Sequence, residues 1–401
     1  DTDRSRGLGD VYKRQVQDMK TIVSVFLYVI ICSIQIYAVS AEEINLNAKA
    51  AVIMDAESGK ILYEKSKDQK MPNASTTKIL TCLYILKHCD LDQMAEVSKN
   101  AAMQPKVRLG VREGEKYKVK DLLYGLMLES YNDCAVVLAE HAEGSVEKFE
   151  KRMNQMAENL GTLNTHFVTP NGLDGIDKKG QHETTAQDLA KIMARCIKNQ
   201  QFLEITQTKQ YTFTDGSRKR RFICNNHNAL LSSMQGVISG KTGYTSKAGY
   251  CYVGAVKQKN MTMTFSVLAS GWPPHKTYKW KDVRKLVQYA TDHYERREII
   301  ADTSKIKEIS IKNGLKEKVL LKTGNLKAAF LVKKTDKIKI ESILPSFIDA
   351  PVKEGQKVGE IKYLINGKSQ KSVPIYAKQS VKQKDYWYYF EKIIQRFTLI
   401  A

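Results

Sequence analysis

The chain has 401 residues, enough for two ordinary domains with a well-buried core in at least one of them. Its 64 Lys and Arg outnumber its 43 Asp and Glu, so the formal net charge is +21 and an anionic partner is expected. Its seven cysteines form no Cys-x-x-Cys pair and no histidines stand at zinc spacing, which excludes a zinc module of the usual pattern.

A short positive start followed by an apolar stretch predicts a secretory signal peptide over residues 19–41. Residues 22–36 are apolar, and Val39-Ser40-Ala41 suits cleavage after Ala41. An uncleaved transmembrane helix is the alternative, but the apolar stretch is short for spanning a bilayer. Residues 1–18 are polar and without periodicity, and we interpret them as a non-native leader. An exported protein rarely meets nucleic acid, so we expect the positive charge to face a membrane or the cell wall.

Six cysteines remain after the signal: Cys82, Cys89, Cys134, Cys196, Cys224 and Cys251. Most of them lie among apolar residues, which predicts buried free thiols. A disulfide between Cys82 and Cys89 is the alternative.

From residue 50 onward the pattern runs from strands to helices and back to strands. Residues 51–54 and 61–63 flank a turn with Gly59 and predict a β-hairpin. The run that starts at Ser75 is apolar nearly all round and predicts a buried central helix. This order predicts an α+β fold in which early and late strands pair around a helical insertion. The other predicted elements are helices at 119–129, 132–142, 145–160, 185–198 and 280–297, and strands at 249–257 and 261–269.

Composition changes near residue 300, and this predicts a domain boundary. Residues 42–299 form the first domain, and the lysine-rich, strand-like residues 300–380 predict a small all-β domain. Residues 381–401 are predicted to contain an amphipathic helix with aromatic residues at the start of its apolar face, which suits the headgroup level of a bilayer. Docking of this helix onto the β-domain is the alternative, and the segment is too polar to span a membrane.

The first motif with chemical content is Ser75-Thr76-Thr77-Lys78. Three residues apart on a helix, Ser75 and Lys78 share a face, so the lysine nitrogen can reach the serine hydroxyl. The helix start also exposes backbone N–H groups that can hold an oxyanion. The spacing recurs at Ser145…Lys148 and Ser304…Lys307, but only Ser75 opens a strongly apolar run.

Two further motifs follow in order. Ser130-Tyr131-Asn132 lies between two helical patterns, where a loop can project a hydroxyl and an amide into a cleft, although helix capping also explains it. Lys241-Thr242-Gly243 leads into a strand and offers a cation and a hydroxyl suited to a carboxylate. Copies at Ser98-Lys99-Asn100 and Lys322-Thr323-Gly324 show that each motif alone is weak. Together, in this order, the three motifs predict a serine acyl-transfer enzyme that needs no active-site histidine.

With these motifs the chain resembles the low-molecular-mass penicillin-binding proteins, the serine-type D-alanyl-D-alanine carboxypeptidases. The resemblance spans residues 44–401 and includes the phrases at 70–78, 169–174, 182–190 and 240–245. It implies a β-lactamase/transpeptidase-like catalytic domain, made of an antiparallel sheet with a helical cluster. The small all-β domain and a C-terminal amphipathic membrane-anchor helix would follow it.

The resemblance also implies a role for each motif residue. Ser75 would attack the carbonyl between the two terminal D-alanines of a peptidoglycan stem pentapeptide, Lys78 would take its proton, and Ser130 would relay a proton to the leaving group. The expected substrate-binding residues are Asn132, Lys241, Thr242, Gly243 and Tyr244. The backbone N–H groups of Ser75 and Tyr244 would form the oxyanion hole.

The implied partners are the stem peptide ending in D-Ala-D-Ala, β-lactams as covalent inhibitors, and the outer face of the bacterial cytoplasmic membrane. No cofactor, metal or nucleic acid is expected. One departure from the family pattern is the large Tyr131 in the second motif, where a small residue is common; a ring pointing into the cleft would narrow substrate choice. The alternatives are a class A-like β-lactamase, an endopeptidase or transpeptidase on the same scaffold, and a non-catalytic wall-binding protein.

Overall fold

A five-stranded antiparallel sheet organises the first domain. The computed structural model describes residues 44–304 and 306–398, so the predicted leader at 1–18 and the signal at 19–41 lie outside the described residues. The strands of this domain are β1 (Ala50–Asp55), β2 (Ile61–Lys65), β3 (Met94–Glu96), β4 (Lys116–Lys118), β5 (Ile176–Asp177), β6 (Gly180–Gln181), β7 (Gln210–Thr214), β8 (Arg221–Asn225), β9 (Val237–Thr245), β10 (Gly249–Gln258) and β11 (Met261–Leu268). In the main sheet the order is β2-β1-β11-β10-β9, which confirms that early and late strands pair around the helices.

The helices fill the space between β2 and β9 in the chain. They are α1 (Lys78–His88), α2 (Lys99–Ala102), α3 (Val119–Tyr124), α4 (Asn132–Glu143), α5 (Val146–Asn159), α6 (Ala186–Cys196), α7 (Gln200–Gln207), α8 (Leu230–Ser233) and, after the sheet, α9 (Tyr278–His293). The predicted central helix is confirmed, because every residue of α1 from Lys78 to Leu86 is buried. A helix surrounded by other elements can be apolar all round, which explains why its sequence lacks a polar face.

The helix predicted at 280–297 ends earlier than its pattern suggested. It stops at His293, and Tyr294 begins a strand, β12 (Tyr294–Ile300), that pairs along its whole length with β15 (Lys327–Lys333). The prediction was wrong for residues 294–297 because pairing with a distant strand outweighs their local helical preference.

The residues after β12 form an all-β domain, as predicted for the fold class. Its strands are β13 (Glu308–Lys312), β14 (Lys318–Thr323), β15, β16 (Ile338–Ile343), β17 (Phe347–Asp349), β18 (Lys357–Ile365) and β19 (Lys368–Ala377). Six of them form one sheet in the order β16-β18-β19-β14-β13-β17. Val319, Ile361, Tyr363 and Ile375 are buried in its core.

The last described element is the helix α10 (Tyr386–Thr398), which buries none of its residues. The helix is therefore not packed onto the β-domain, in contrast to the alternative prediction. None of the helices in residues 44–304 and 306–398 is both long and apolar enough to cross a bilayer.

All six cysteines of the described chain are free thiols, and Cys89 is the one that is not fully buried. The prediction of free thiols is confirmed, and the alternative Cys82–Cys89 disulfide is not formed.

Candidate active site

Ser75 and Lys78 meet where a single-turn 3-10 helix, Ala74–Thr77, runs into α1. The Lys78 Nζ lies 2.8 Å from the Ser75 Oγ. It also lies 2.9 Å from the Asn132 Oδ1 and 2.7 Å from the backbone carbonyl oxygen of Asn171. A neutral amine has two N–H groups and one lone pair. It can therefore donate to these two oxygens and accept the proton of the serine hydroxyl.

The electrostatics of the site favour a neutral Lys78. Burial lowers the pKa of Lys78 well below its usual range, and the nearby positive charge of Lys241 lowers it further. The lysine side chain has no exposed surface. Lys78 can thus act as a base near neutral pH, whereas an exposed lysine would be protonated.

The turn that carries Ser75 is held by a buried network of polar side chains. The Asn73 Nδ2 donates to the hydroxyl oxygens of Thr76 and Thr77, at 3.0 and 2.8 Å. His182 is buried, and its Nε2 lies 2.8 Å from the Thr77 Oγ1. Because the Nδ1 of His182 accepts from the backbone N–H of Val168 at 3.0 Å, the ring proton sits on Nε2 and is donated to Thr77. The histidine therefore supports the turn from behind.

Glycine is required where a second loop crosses this turn. Gly172 has φ +84°, and a Cβ placed on it would lie 2.0 Å from the Ala74 carbonyl oxygen. The same loop presents the Asn171 carbonyl to Lys78. Both residues belong to the phrase at 169–174, to which the sequence assigned no role.

The second motif stands at the end of a π-helical turn, Gly125–Glu129. Ser130 has a left-handed backbone (φ 67°), and within the described chain its side chain makes no hydrogen bond. Asn132 begins α4 and is buried, with its side-chain oxygen on Lys78. The Tyr131 ring packs on Gly125, where a Cβ would lie 3.1 Å from the Tyr131 Cδ2, and against the hydrophobic core. The ring of Tyr131 therefore packs on the π-helical turn.

The third motif lies on β9, an edge strand of the main sheet. Lys241 is 3% exposed, its Nζ donates to the Thr242 carbonyl at 2.9 Å, and burial lowers its pKa to about 7. A Cβ on Gly243 would lie 3.0 Å from the Ser75 nitrogen, so the strand backbone passes directly beside the turn of the first motif. Tyr244 is 42% exposed, and its ring centroid lies 4.7 Å from that of Tyr250.

The structure brings most of the predicted residues together. Ser75, Lys78 and Asn132 are joined by hydrogen bonds, Lys241 adds its charge, and Gly243 contacts the Ser75 backbone, with Thr242 and Tyr244 beside it on β9. Ser130 is adjacent to this group through the chain, without a hydrogen bond to it.

The second copies of the motifs have structural roles. Ser145 and Ser98 each cap a helix by accepting a backbone N–H, from Lys148 at 3.3 Å and from Ala101 at 3.0 Å. Lys322 and Thr323 lie on β14 in the β-domain.

The sequence interpretation missed the Asn171 carbonyl, Thr77 and His182. A backbone carbonyl carries no residue signature, so only the turn signal of Pro170-Asn171-Gly172 could have drawn attention to it.

Two family profiles match separate parts of the chain. The profile of the family described as D-alanyl-D-alanine carboxypeptidase matches residues 37–271, which is more than half of the chain. A second profile, described as the C-terminal domain of penicillin-binding protein 5, matches residues 294–383.

Individual proteins agree with these profiles. The D-alanyl-D-alanine carboxypeptidase DacF of Bacillus subtilis (strain 168) is 29% identical over 364 residues, which cover 89% of this chain and 91% of that protein. The D-alanyl-D-alanine carboxypeptidase of Streptomyces sp. (strain K15) is 34% identical over 61% of this chain and 87% of its own. Penicillin-binding protein 5 from Haemophilus influenzae has a solved structure that covers 86% of this chain and 100% of its own, with 28% identity and a TM-score of 0.63. The chain therefore belongs to the serine-type D-alanyl-D-alanine carboxypeptidase family of low-molecular-mass penicillin-binding proteins.

Proposed function

We propose that this carboxypeptidase removes the terminal D-alanine from peptidoglycan stem pentapeptides through an acyl-enzyme on Ser75. The observation that carries the proposal is the 2.8 Å contact between the Ser75 Oγ and a fully buried Lys78 Nζ. The names of the related proteins supply the substrate class. The roles of the individual residues follow from their positions in the site.

In the first half-reaction the Ser75 oxygen attacks the carbonyl carbon between the two D-alanines while Lys78 takes the hydroxyl proton. The oxyanion that forms is held by the backbone N–H groups of Ser75 and Tyr244, since β9 passes beside the turn at Gly243. Ser130 gives the proton of its hydroxyl to the nitrogen of the leaving D-alanine as the peptide bond breaks, and it takes up in exchange the proton that Lys78 had received from Ser75. Water then attacks the ester carbonyl while the neutral Lys78 takes a proton from it, and Lys78 returns this proton to the Ser75 oxygen as the ester bond breaks.

The remaining motif residues bind the substrate. The Lys241 ammonium and the Thr242 hydroxyl hold the terminal carboxylate. Asn132 positions Lys78 through its side-chain oxygen and orients the substrate amide through its side-chain nitrogen. Gly243 leaves room for the substrate backbone along the strand.

The test compares Ser75→Ala with Ser145→Ala, a serine that also stands three residues before a lysine but only caps a helix. We expect Ser75→Ala to release D-alanine from diacetyl-Lys-D-Ala-D-Ala about 10⁴-fold more slowly. We expect Ser145→Ala to keep the wild-type rate. Release at the normal rate by folded Ser75→Ala would exclude Ser75 as the nucleophile.

Fluorescent penicillin separates the carboxypeptidase from its alternatives. A carboxypeptidase is expected to be labelled covalently at Ser75 and to lose the label slowly, whereas a class A-like β-lactamase would release it quickly and a non-catalytic wall-binding protein would not be labelled. The solved K15 relative is described as a DD-transpeptidase, and it covers 62% of this chain at 31% identity. Adding an amino-acid acceptor to the peptide assay shows whether transfer competes with hydrolysis.

The proposal for the cellular location is an exported enzyme held at the outer face of the cytoplasmic membrane by α10. Tyr388 of α10 is partly buried, whereas Tyr386, Trp387, Phe390 and Phe397 are each at least 43% exposed. An amphipathic helix of 13 residues with this aromatic content can lie in the bilayer interface. Deleting residues 385–401 is expected to move the enzyme from the membrane to the soluble fraction without abolishing hydrolysis.

The domain division proposed with this function is a catalytic domain at 42–299, a β-domain at 300–380 and an anchor at 381–401. The strand β12, at 294–300, pairs with the β-domain, and so it links the last helix of the catalytic domain to the next unit.

A further inference from the structure

The end of the β-domain from which α10 leaves is built around one turn. The turn between β13 and β14 is bonded to the segment that precedes the helix. The Leu315 N–H donates to the Lys382 carbonyl at 2.9 Å, and the Lys384 N–H donates to the Asn313 carbonyl at 2.8 Å. Gly314 and Gln383 form a β-bridge between them. The turn and the root of the helix therefore move together.

Two large apolar side chains are exposed at this end. Leu315, at the tip of the turn, is 49% exposed, and Phe347, on the neighbouring strand β17, is 38% exposed. The Lys312 Nζ lies 3.3 Å from the centre of the Phe347 ring. An aromatic and a leucine side chain at the tip of a domain, next to lysines, suit the boundary between headgroups and acyl chains.

Lysines surround these apolar tips, and we call the set Lys312, Leu315, Lys316, Phe347 and Lys382 the basal surface. Within the described chain none of its three lysines forms an ion pair, and all three are exposed. Three carboxylates lie close by. Asp349 stands opposite Lys312 in the strand register, Glu317 follows the turn, and Asp385 accepts the N–H of Tyr388 at 3.0 Å at the start of α10. The chain as a whole carries +21, so the long-range field also favours an anionic surface.

The opposite end of the β-domain faces the catalytic domain. The strand β19 runs ten residues, from the hairpin turn at 366–367 to Ala377 beside Leu321. Ile365 and Gln370, at the turn end, line a cavity together with Asp55 and Glu57 of the catalytic domain. Ten residues of strand span about 33 Å, so the basal surface and the catalytic domain lie at opposite ends of the sheet.

We infer that the basal surface binds an anionic lipid bilayer directly, beside α10, and so holds the β-domain upright with the catalytic domain away from the membrane. The inference rests on the proposed membrane tether and adds to it a second contact that belongs to the folded domain. The apolar tips enter the interface, and the lysines contact the anionic headgroups. A helix alone would leave the domain free to tilt, whereas two adjoining contacts restrict its orientation.

The test uses the full chain and large unilamellar vesicles of phosphatidylcholine, with or without 30% phosphatidylglycerol. Each basic residue near an anionic bilayer contributes about fivefold to partitioning. We expect the double variant Lys316→Gln/Lys382→Gln to bind the anionic vesicles about 25-fold more weakly than the wild type, and the neutral vesicles equally well. The matched control is Lys337→Gln/Lys368→Gln, two exposed lysines at the catalytic end of the β-domain. This control removes the same charge and is expected to bind like the wild type.

Contact with lipid is measured separately by fluorescence. In a Trp387→Phe background, Leu315→Trp is expected to be quenched by brominated lipid, and Leu163→Trp, 77% exposed in the catalytic domain, is not. Hydrolysis of the soluble peptide by each variant reports that the fold is intact.

Four results would overturn the inference. If the two lysine double variants lose vesicle binding equally, binding depends on net charge alone. If Leu315→Trp is not quenched, the basal surface stays in water. If wild-type protein binds neither vesicle, the tether itself fails and the inference fails with it. Binding by the wild type that Lys316→Gln/Lys382→Gln leaves unchanged would overturn the basal contact alone.

Discussion

Lys78 and Lys241 are two buried lysines in one site, and the proposed mechanism requires opposite charge states of them. In the proposed mechanism Lys78 must be neutral to accept the Ser75 proton, whereas Lys241 must be charged to hold a carboxylate. Burial lowers the pKa of both, and the charge of Lys241 lowers that of Lys78 further. Lys78, which is bonded to the proposed nucleophile, is the lysine whose pKa is lowered both by burial and by a neighbouring cation.

The pH profile of kcat/KM should report both lysines. Activity is expected to fall at acid pH as Lys78 gains a proton, and to fall at alkaline pH as Lys241 loses its proton, which in the free enzyme happens at a pKa of about 7. The arginine in Lys241→Arg keeps its charge at all these pH values. The alkaline fall in kcat/KM should therefore move to higher pH in this variant, even if its activity is lower. Rates measured from pH 5 to 10 test this, and an alkaline limb at the same pH in both proteins would contradict it.

We expect His182 to affect stability rather than proton transfer, because it bonds to Thr77 and to the backbone of Val168. Burial lowers its pKa to about 3, from an ordinary value near 6.5. Below pH 6.5 His182 binds a proton in the unfolded chain but stays neutral in the folded chain. The free energy of unfolding therefore falls as the pH falls toward 3. Between pH 6.5 and 5 this loss amounts to as much as about 2 kcal/mol.

The variant His182→Asn should therefore be less stable at pH 7 and also less sensitive to acid. Urea unfolding at pH 7, 6 and 5 measures both effects. His275→Gln, at an exposed histidine, is the control and should keep the wild-type slope. If the free energy of unfolding depends on pH in His182→Asn as it does in the wild type, other groups cause the acid sensitivity.

At the scale of elements, the site depends on how closely β9 passes the start of α1. A Cβ on Gly243 would lie 2.9 Å from the Asn73 carbonyl oxygen as well as 3.0 Å from the Ser75 nitrogen, and both are backbone atoms that cannot swing away. Adding a methyl group must therefore push the strand away from the turn that carries Ser75.

We expect Gly243→Ala to lower kcat/KM about 100-fold, because a displacement of this size misplaces the oxyanion hole. The matched control is Gly324→Ala in the second Lys-Thr-Gly copy, where a Cβ would meet only the Val373 Cγ1 at 3.8 Å. Peptide hydrolysis and the thermal midpoint are measured for both variants. Normal activity in Gly243→Ala would mean that the strand can yield without affecting the site.

At the scale of the whole molecule, one arginine links the hairpin of the catalytic domain to the strand that enters the β-domain. On β12, Arg296 reaches the fully buried carboxylate of Asp55 at 3.4 Å and the carboxylate of Glu57 at 2.6 Å. Lys60 of the same hairpin donates to the Leu331 carbonyl on β15 at 3.2 Å. The two domains are thus connected by charge and hydrogen bonds as well as by the chain.

Replacing Arg296 with Ala leaves the buried Asp55 without its cation, and we expect the free energy of unfolding to fall by about 2 kcal/mol. Arg297→Ala is the control, because this neighbour pairs with Glu295 on its own strand at a half-exposed position and should cost less than about 0.5 kcal/mol. Urea unfolding followed by circular dichroism compares them. If both variants lose the same free energy of unfolding, the contacts of Arg296 between the domains contribute little to stability.

Local pattern alone was enough to predict the hairpin at residue 50, the buried helix after Ser75, the strands at 249 and 261, and the all-β character of the second domain. Helical and strand periodicity, turn glycines and composition are properties of neighbouring residues, so the sequence displays them directly. The three motifs were equally visible, because side chains that carry this chemistry are few and their order is distinctive.

Tertiary structure alone decided the contacts between distant segments. The Asn171 carbonyl reaches Lys78 from 93 residues away, and His182 reaches Thr77 from 105 residues away. Residues 294–297 became a strand instead of the end of a helix because β15 was available to pair with them. A sequence determines which groups can be catalytic. The packing of its elements determines which of those groups lose their water and meet, and in this protein that loss of water lowers the pKa of the lysine beside Ser75.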